Sequence, residues 1–157
     1  MAPDTEWAML ARLRDAVLED LRRAILLWDR RQEPDPDRIR EKALQKSLQD
    51  AYASIESAML RVLVMAEEPR PTGERWHDDL LTAVTLATAR RPAFAPALVG
   101  ELDELRSFRH VAVHNYLRFR MDRAAPAVAA ARVLLAELTP AFEEFGHAFG
   151  LLPPQPE

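Results

Sequence analysis

Apolar residues recur along most of this chain at alternating spacings of three and four, the pattern of amphipathic helices. Proline and glycine punctuate the stretches that carry the pattern, and no internal repeat of 20 to 50 residues is evident. The pattern predicts five helices, over about 4–31, 36–68, 73–89, 96–121 and 122–149. Long amphipathic helices joined by short loops favour an antiparallel bundle.

The apolar stripe of each long helix is the predicted core. The stripes are Leu10, Leu13, Val17, Leu21, Ala24 and Trp28 in the first helix; Leu44, Leu48, Ala51, Ile55, Ala58, Val62 and Met65 in the second; Leu98, Leu102, Leu105, Arg109, Ala112, Tyr116 and Phe119 in the fourth; and Val128, Ala131, Leu135, Leu138, Phe142, Phe145 and Phe149 in the fifth. Two positions of the fourth stripe, Arg109 and Tyr116, are polar, and a polar residue in a seam is costly unless it has a partner.

Composition agrees with an all-α fold, because the chain holds only 4 glycines and 7% aromatic residues and is rich in good helix formers. Its 157 residues suit a single domain, predicted over 1–152, with 153–157 as a disordered tail. The absence of cysteine excludes disulfides, thiolate metal sites and cysteine nucleophiles. We expect a cytoplasmic protein, since the sequence shows neither a signal peptide nor an apolar run approaching a membrane span.

The first and fifth helices are apolar beyond a narrow stripe, at 25–27 and 133–134. Such a helix either lies inside a bundle or forms an interface, and we favour a homodimer.

Charge is distributed unevenly. The net charge is -4, yet the segment Leu105–Ala125 holds five arginines against one aspartate, a balance of +4 in a chain that is -8 elsewhere. The arginines are Arg106, Arg109, Arg118, Arg120 and Arg123. This segment is a candidate contact surface for a phosphate-bearing or acidic partner.

The same segment carries the one cluster of chemically versatile side chains, an Arg-x4-His-x-Tyr pattern formed by Arg109, His114 and Tyr116. With His110 and Asn115 it offers the groups that hold a phosphodiester and move its protons. On a helix Arg109 and Tyr116 share a face, whereas His114 lies too far around to meet Arg109 directly. A composite site between two helices or two subunits is therefore implied.

Each of these residues also has a purely structural interpretation. Arg109 could be a seam arginine paired with Glu56 of the second helix, His114 a hydrogen-bonded imidazole and Tyr116 a core tyrosine. Together they form a pattern expected in fewer than roughly one random shuffle in a hundred. The run Trp76-His77-Asp78-Asp79 is a poor metal site, because adjacent side chains diverge on a helix.

The run SFRHVAVHNY at 107–116 resembles the signature of HepT-type HEPN proteins, and Leu102–Arg106 and Trp76–Leu81 resemble the same relatives. That resemblance implies a dimeric helical bundle whose motifs face a shared cleft. It also implies a metal-independent endoribonuclease without a cofactor, the toxin of a HEPN/MNT toxin-antitoxin pair. Its partners would be RNA and a cognate MNT-type nucleotidyltransferase antitoxin.

By the same resemblance, Arg109 would hold the scissile phosphate and His114 would serve as general acid or base. Asn115 and His110 would support them, and Tyr116 would be the residue that the antitoxin modifies with AMP. Arg106, Arg118 and Arg120 would contact RNA or the partner. The alternative is a non-catalytic binding or interaction subunit of a nucleotidyltransferase, and a third interpretation is a plain dimeric scaffold.

Overall fold

The computed structural model describes residues 2–114 and 120–157 and is all-helical in these ranges, with no strand among them. Its α-helices are α1 (Pro3–Asp29), α2 (Ile39–Met65), α3 (Trp76–Val84), α4 (Val99–His114) and α5 (Ala125–Ala148). Short 3-10 turns at Pro36–Arg38, Pro96–Leu98 and Met121–Ala124 lead into α2, α4 and α5. The predicted all-α class is confirmed.

Four of the helices form a closed ring, in which α1 packs on α2, α2 on α4, α4 on α5 and α5 on α1. Contacts between the start of one helix and the end of the next show that α1 and α2, and α2 and α4, run antiparallel. Glu6, at the start of α1, is paired with Arg61 near the end of α2, at 2.6 Å. Gln45, early in α2, donates to the carbonyl of Ala112 late in α4. The short helix α3 lies against α2 and α4.

The predicted stripes form the core. In α2 the stripe from Leu44 to Val62 is fully buried, and in α4 Leu102, Leu105 and Ala112 are also enclosed. Tyr116 and Phe119 of the fourth stripe lie outside the described residues. Aromatic packing closes one end of the bundle, where Phe94 meets Phe142 and Phe145 edge to face.

Two predicted helix ends are wrong. The third helix stops at Val84 and not at 89, because the carbonyls at its end are taken by other partners: the amide of Phe94 donates to Val84, and the Arg91 guanidinium donates to Ala83 and Val84. The fourth helix does not continue to Met121, since Arg120 is extended (φ -124°, ψ 146°) and begins the turn that leads into α5.

By length and composition, one stretch of the described residues, Met121–Ala148, could cross a membrane, so the expectation of no apolar run of that length is corrected. In the fold this stretch contains α5, which packs on α1 and α4. Its apolar character comes from a core face that includes Val128, Leu134 and Phe142. The apolar composition is therefore explained by packing within the bundle.

Beyond the core stripes, the first and fifth helices each expose one large apolar side chain. Leu26 is 65% exposed and Val133 is 40% exposed, whereas Ile25 and Leu134 point into the core. The single chain thus leaves these two residues uncovered. The homodimer remains a prediction.

Replacing Gly146 with alanine is expected to destabilise the fold by about 1 to 3 kcal/mol, as overpacking does. A Cβ at this α5 position would come within 2.7 Å of the ring edge of Trp7 on α1. Gly100→Ala is the matched control: its Cβ would meet nothing within 4 Å, so a small gain is expected because the unfolded chain loses freedom. Urea unfolding of both variants checks this, and equal stabilities would contradict the close packing of α1 on α5.

Candidate functional site

Arg109 lies on α4 where that helix faces α2 and α3. Its Nη1 is 3.4 Å from Oε1 of Glu56, so the pair considered from the sequence is present. The Arg109 side chain is 31% exposed, whereas that of Glu56 is only 9% exposed. Among the described residues, this long contact occupies one of the five N–H donors of the guanidinium. Arg109 is therefore both anchored and accessible.

The same Glu56 carboxylate also holds His77, from the first turn of α3. His77 Nδ1 lies 2.5 Å from Glu56 Oε2, while Oε1 faces Arg109. One buried carboxylate thus joins an imidazole and the motif arginine, which come from two different helices. Sequence spacing could not have joined these groups, because 32 residues separate His77 from Arg109.

Two further contacts fix His77 in place. The Trp76 ring stacks on the His77 ring with centroids 3.6 Å apart, and the Arg70 guanidinium lies over Trp76 at 4.7 Å. The neighbouring Asp78 faces Arg106 of α4 at 3.9 Å. The start of α3 is therefore held against α4 through Asp78, and Arg70 of the preceding loop covers Trp76 on the other side of His77.

Tyr52 lies one turn before Glu56 on α2 and is completely buried. Among the described residues, its hydroxyl is the one buried side-chain polar atom without a hydrogen-bond partner. Burial, reinforced by the Glu56 carboxylate, raises the pKa of this hydroxyl above its ordinary value of 10.0. Tyr52 is therefore a neutral phenol beneath the charged cluster.

In the fold, part of the positive charge of the segment 105–125 is paired with acidic side chains. Arg106 is paired with Asp103 at 2.8 Å and Arg109 with Glu56, so two of the five arginines already face acids. Arg120 and Arg123 are exposed. Of the described arginines in this segment, the two that are exposed therefore lie at the turn that leads into α5.

The rest of the predicted site is only partly described. His110 is exposed on α4 next to Arg109, and the backbone of His114 ends α4. The side chain of His114, and Asn115, Tyr116 and Arg118 as a whole, lie outside the described part of the chain. Their roles remain predictions.

Sequence reasoning missed His77 and Tyr52 as members of this cluster. His77 had been considered only as a metal ligand, and a lone tyrosine in a helical stripe carries no signal of its own. The available clue was Trp76-His77, one of the stretches that resemble HepT-like relatives. No cluster of metal-ligating residues occurs within the ranges that the structure describes.

Comparison with protein-family models finds a match to the family described as HepT-like protein, over residues 43–149. The matched region runs from α2 to the end of α5 and includes Glu56, His77 and Arg109. The comparison with curated proteins found no significant match, and the comparison with solved structures found none either.

Proposed function

From the premise that the chain belongs to the HepT-like family, we propose that it is a metal-independent endoribonuclease, the toxin of a HEPN/MNT toxin-antitoxin pair. The observation that carries the proposal is the accessible Arg109 at the meeting point of α2, α3 and α4, on the helix that ends at His114 of the Arg-x4-His-x-Tyr motif. The imidazole of His77 in the same cluster supplies further acid–base capacity.

The chemistry starts at Arg109. Its guanidinium binds the scissile phosphate and stabilises the negative charge that develops on it, as charge-assisted hydrogen bonds do. His114 takes or gives a proton as the ribose 2'-hydroxyl attacks the phosphorus, with Asn115 and His110 in support. Because the 2'-hydroxyl is the nucleophile, the reaction needs no metal-bound water.

The site is completed in a homodimer, whose two motifs face one cleft. His110 and Val111 support this arrangement, because both are exposed on α4 directly after Arg109. Val111 is apolar and 47% exposed, so it is available to such an interface. Single-stranded RNA enters this cleft, and Arg106, Arg118 and Arg120 contact the RNA or the antitoxin.

His114→Ala is expected to abolish toxicity, because the motif imidazole moves a proton in the cleavage step. Expression of the wild-type chain should arrest growth, whereas the variant should not. His147→Ala is the matched control, since His147 lies near the end of α5 with Nδ1 2.6 Å from the Pro153 carbonyl. Equal toxicity of wild type and His114→Ala would contradict the proposal.

Neutralisation by the partner is expected to add AMP to Tyr116. A phosphate-bearing group beside Arg109 would occupy the charge intended for RNA. Intact mass after incubation with the nucleotidyltransferase and ATP should rise by one AMP in the wild type and stay unchanged in Tyr116→Phe. Modification of Tyr116→Phe would refute the assignment, and a tight complex without RNA cleavage would favour a non-catalytic binding subunit.

A further inference from the structure

The Glu56 carboxylate sets the position of His77 relative to Arg109. Its two oxygens face His77 Nδ1 at 2.5 Å and Arg109 Nη1 at 3.4 Å. Glu56 itself is buried, with its side chain 9% exposed. His77 and Arg109 therefore face the two oxygens of the same carboxylate.

The orientation of His77 leaves one nitrogen for a ligand. Nδ1 is turned to Glu56, and the structure gives Nε2 no hydrogen-bond partner among the described residues. The side chain is 35% exposed, so Nε2 is within reach of a solvent-borne group. A carboxylate on one nitrogen and an open second nitrogen is the arrangement of an acid–base histidine, because the carboxylate fixes its ring orientation and tautomer.

A purely structural role for His77 explains only some of its contacts. A histidine that only links α3 to α2 needs its contact with Glu56, yet His77 is also clamped by the stacked Trp76, with Arg70 over that ring. The Arg106–Asp78 pair holds the same turn of α3 against α4 without any help from His77. The ring thus has two contacts that fix its plane, the Glu56 carboxylate and the stacked Trp76.

Cleavage through a 2'-hydroxyl moves two protons, one off the 2'-oxygen and one onto the departing 5'-oxygen. Two groups usually share this work, since each must be in a different protonation state. We propose that His77 is the second catalytic imidazole, the general acid that protonates the 5'-oxygen; this inference rests on the ribonuclease function proposed above.

In the step itself, the 2'-oxygen bonds to phosphorus and its proton passes to His114. The bond between phosphorus and the 5'-oxygen breaks, and the proton on His77 Nε2 passes to that oxygen. The products are a 2',3'-cyclic phosphate and a 5'-hydroxyl. Glu56 is a positioning residue, because it acts through the ring of His77 and the guanidinium of Arg109.

The test compares two substrates with different leaving groups. A short single-stranded RNA that the wild-type chain cleaves is resynthesised with sulfur in place of the 5'-oxygen at the cleaved linkage. A thiolate leaves without being protonated, so the sulfur substrate does not need a general acid. His77→Gln and His77→Asn should cleave ordinary RNA about 10²- to 10⁴-fold more slowly than wild type and should cleave the sulfur substrate within about tenfold of the wild-type rate.

His114→Ala should be slow on both substrates, because attack still requires a base. His147→Gln should match wild type on both. All variants are compared at a temperature at which their circular dichroism shows wild-type helix content. The role of His77 would be overturned if its variants cleaved ordinary RNA at the wild-type rate, or if they lost equal activity on both substrates. Either result would leave the proposed ribonuclease function standing. A wild-type chain that cleaves no RNA would overturn the ribonuclease function and this inference with it.

Discussion

Arg109→Ala is expected to lower RNA cleavage by about 10²- to 10³-fold, the loss typical of removing a donor that stabilises transition-state charge. Arg109 is the motif residue whose side chain is described, and its guanidinium is partly exposed beside Glu56 and His77. Without it, the scissile phosphate would meet the negative Glu56 carboxylate with no cation between them. Single-turnover cleavage of a short single-stranded RNA measures the effect.

Arg109→Lys tests the geometry of that contact. Lysine keeps the charge and loses the planar set of donors, so an intermediate rate is expected. Arg132→Ala is the matched control, because Arg132 also pairs with an acid across two helices, at 2.7 Å from Asp29, but on the α1–α5 side of the bundle. If Arg132→Ala lost as much activity as Arg109→Ala, the site assigned to Arg109 would be wrong.

Arg91→Ala is expected to destabilise the fold by about 3 kcal/mol, because several carbonyls lose their donor and each buried group left unsatisfied costs about 1 to 3 kcal/mol. The Arg91 side chain is 1% exposed, and its Nε lies 3.1 Å from Glu68. It also donates to the carbonyls of Ala83, Val84 and Leu86 at the end of α3. Removing it leaves the partly exposed Glu68 carboxylate without this cation and several carbonyls without a donor. Urea unfolding measures the loss.

The loss in Arg91→Ala should depend on pH in a defined direction. The Thr88 hydroxyl and then the Arg91 charge lower the pKa of Glu68 below its ordinary value of 4.5. A lowered folded-state pKa contributes stability above the unfolded value and loses it as the pH falls through the folded one. The difference in the free energy of unfolding between wild type and Arg91→Ala should become smaller below pH 4.5. It should not disappear, because the carbonyl contacts do not titrate.

The adjacent Arg90 supplies the matched control for Arg91. Arg90 is exposed and donates to the carbonyl of Glu67 at 2.8 Å. Arg90→Ala should change the free energy of unfolding by no more than about 0.5 kcal/mol, as exposed substitutions do. Similar losses of stability in the two variants would show that the contacts of Arg91 contribute no more to the free energy of unfolding than those of the exposed Arg90.

Helix positions were predictable from the sequence, because burial of one face leaves a periodic trace in the chain. The stripe from Leu44 to Val62 was predicted and is fully buried. Helix ends were less predictable. The end of α3 depends on Arg91 and Phe94, which donate to its carbonyls from the following loop. No local sequence pattern predicts these contacts.

Part of the candidate site could likewise be predicted from the sequence, and part could not. The motif and the Glu56–Arg109 pair could be inferred, since seam positions on antiparallel helices face each other. His77 could not be inferred, because its place depends on how a nine-residue helix docks beside two longer ones. α3 buries Leu80, Leu81 and Val84, and contacts such as Arg106–Asp78 then fix which neighbouring side chains it meets.

By itself, the sequence determined that this chain is a helical bundle, and it predicts that the candidate site lies on the helix carrying Arg109. Both follow from local regularities, the spacing of apolar residues and a short motif, which need no knowledge of distant partners. Only the tertiary structure decided that His77 and Tyr52 join the Glu56–Arg109 pair. They come together because separate helices bury their faces against one another, and that selection depends on three-dimensional packing.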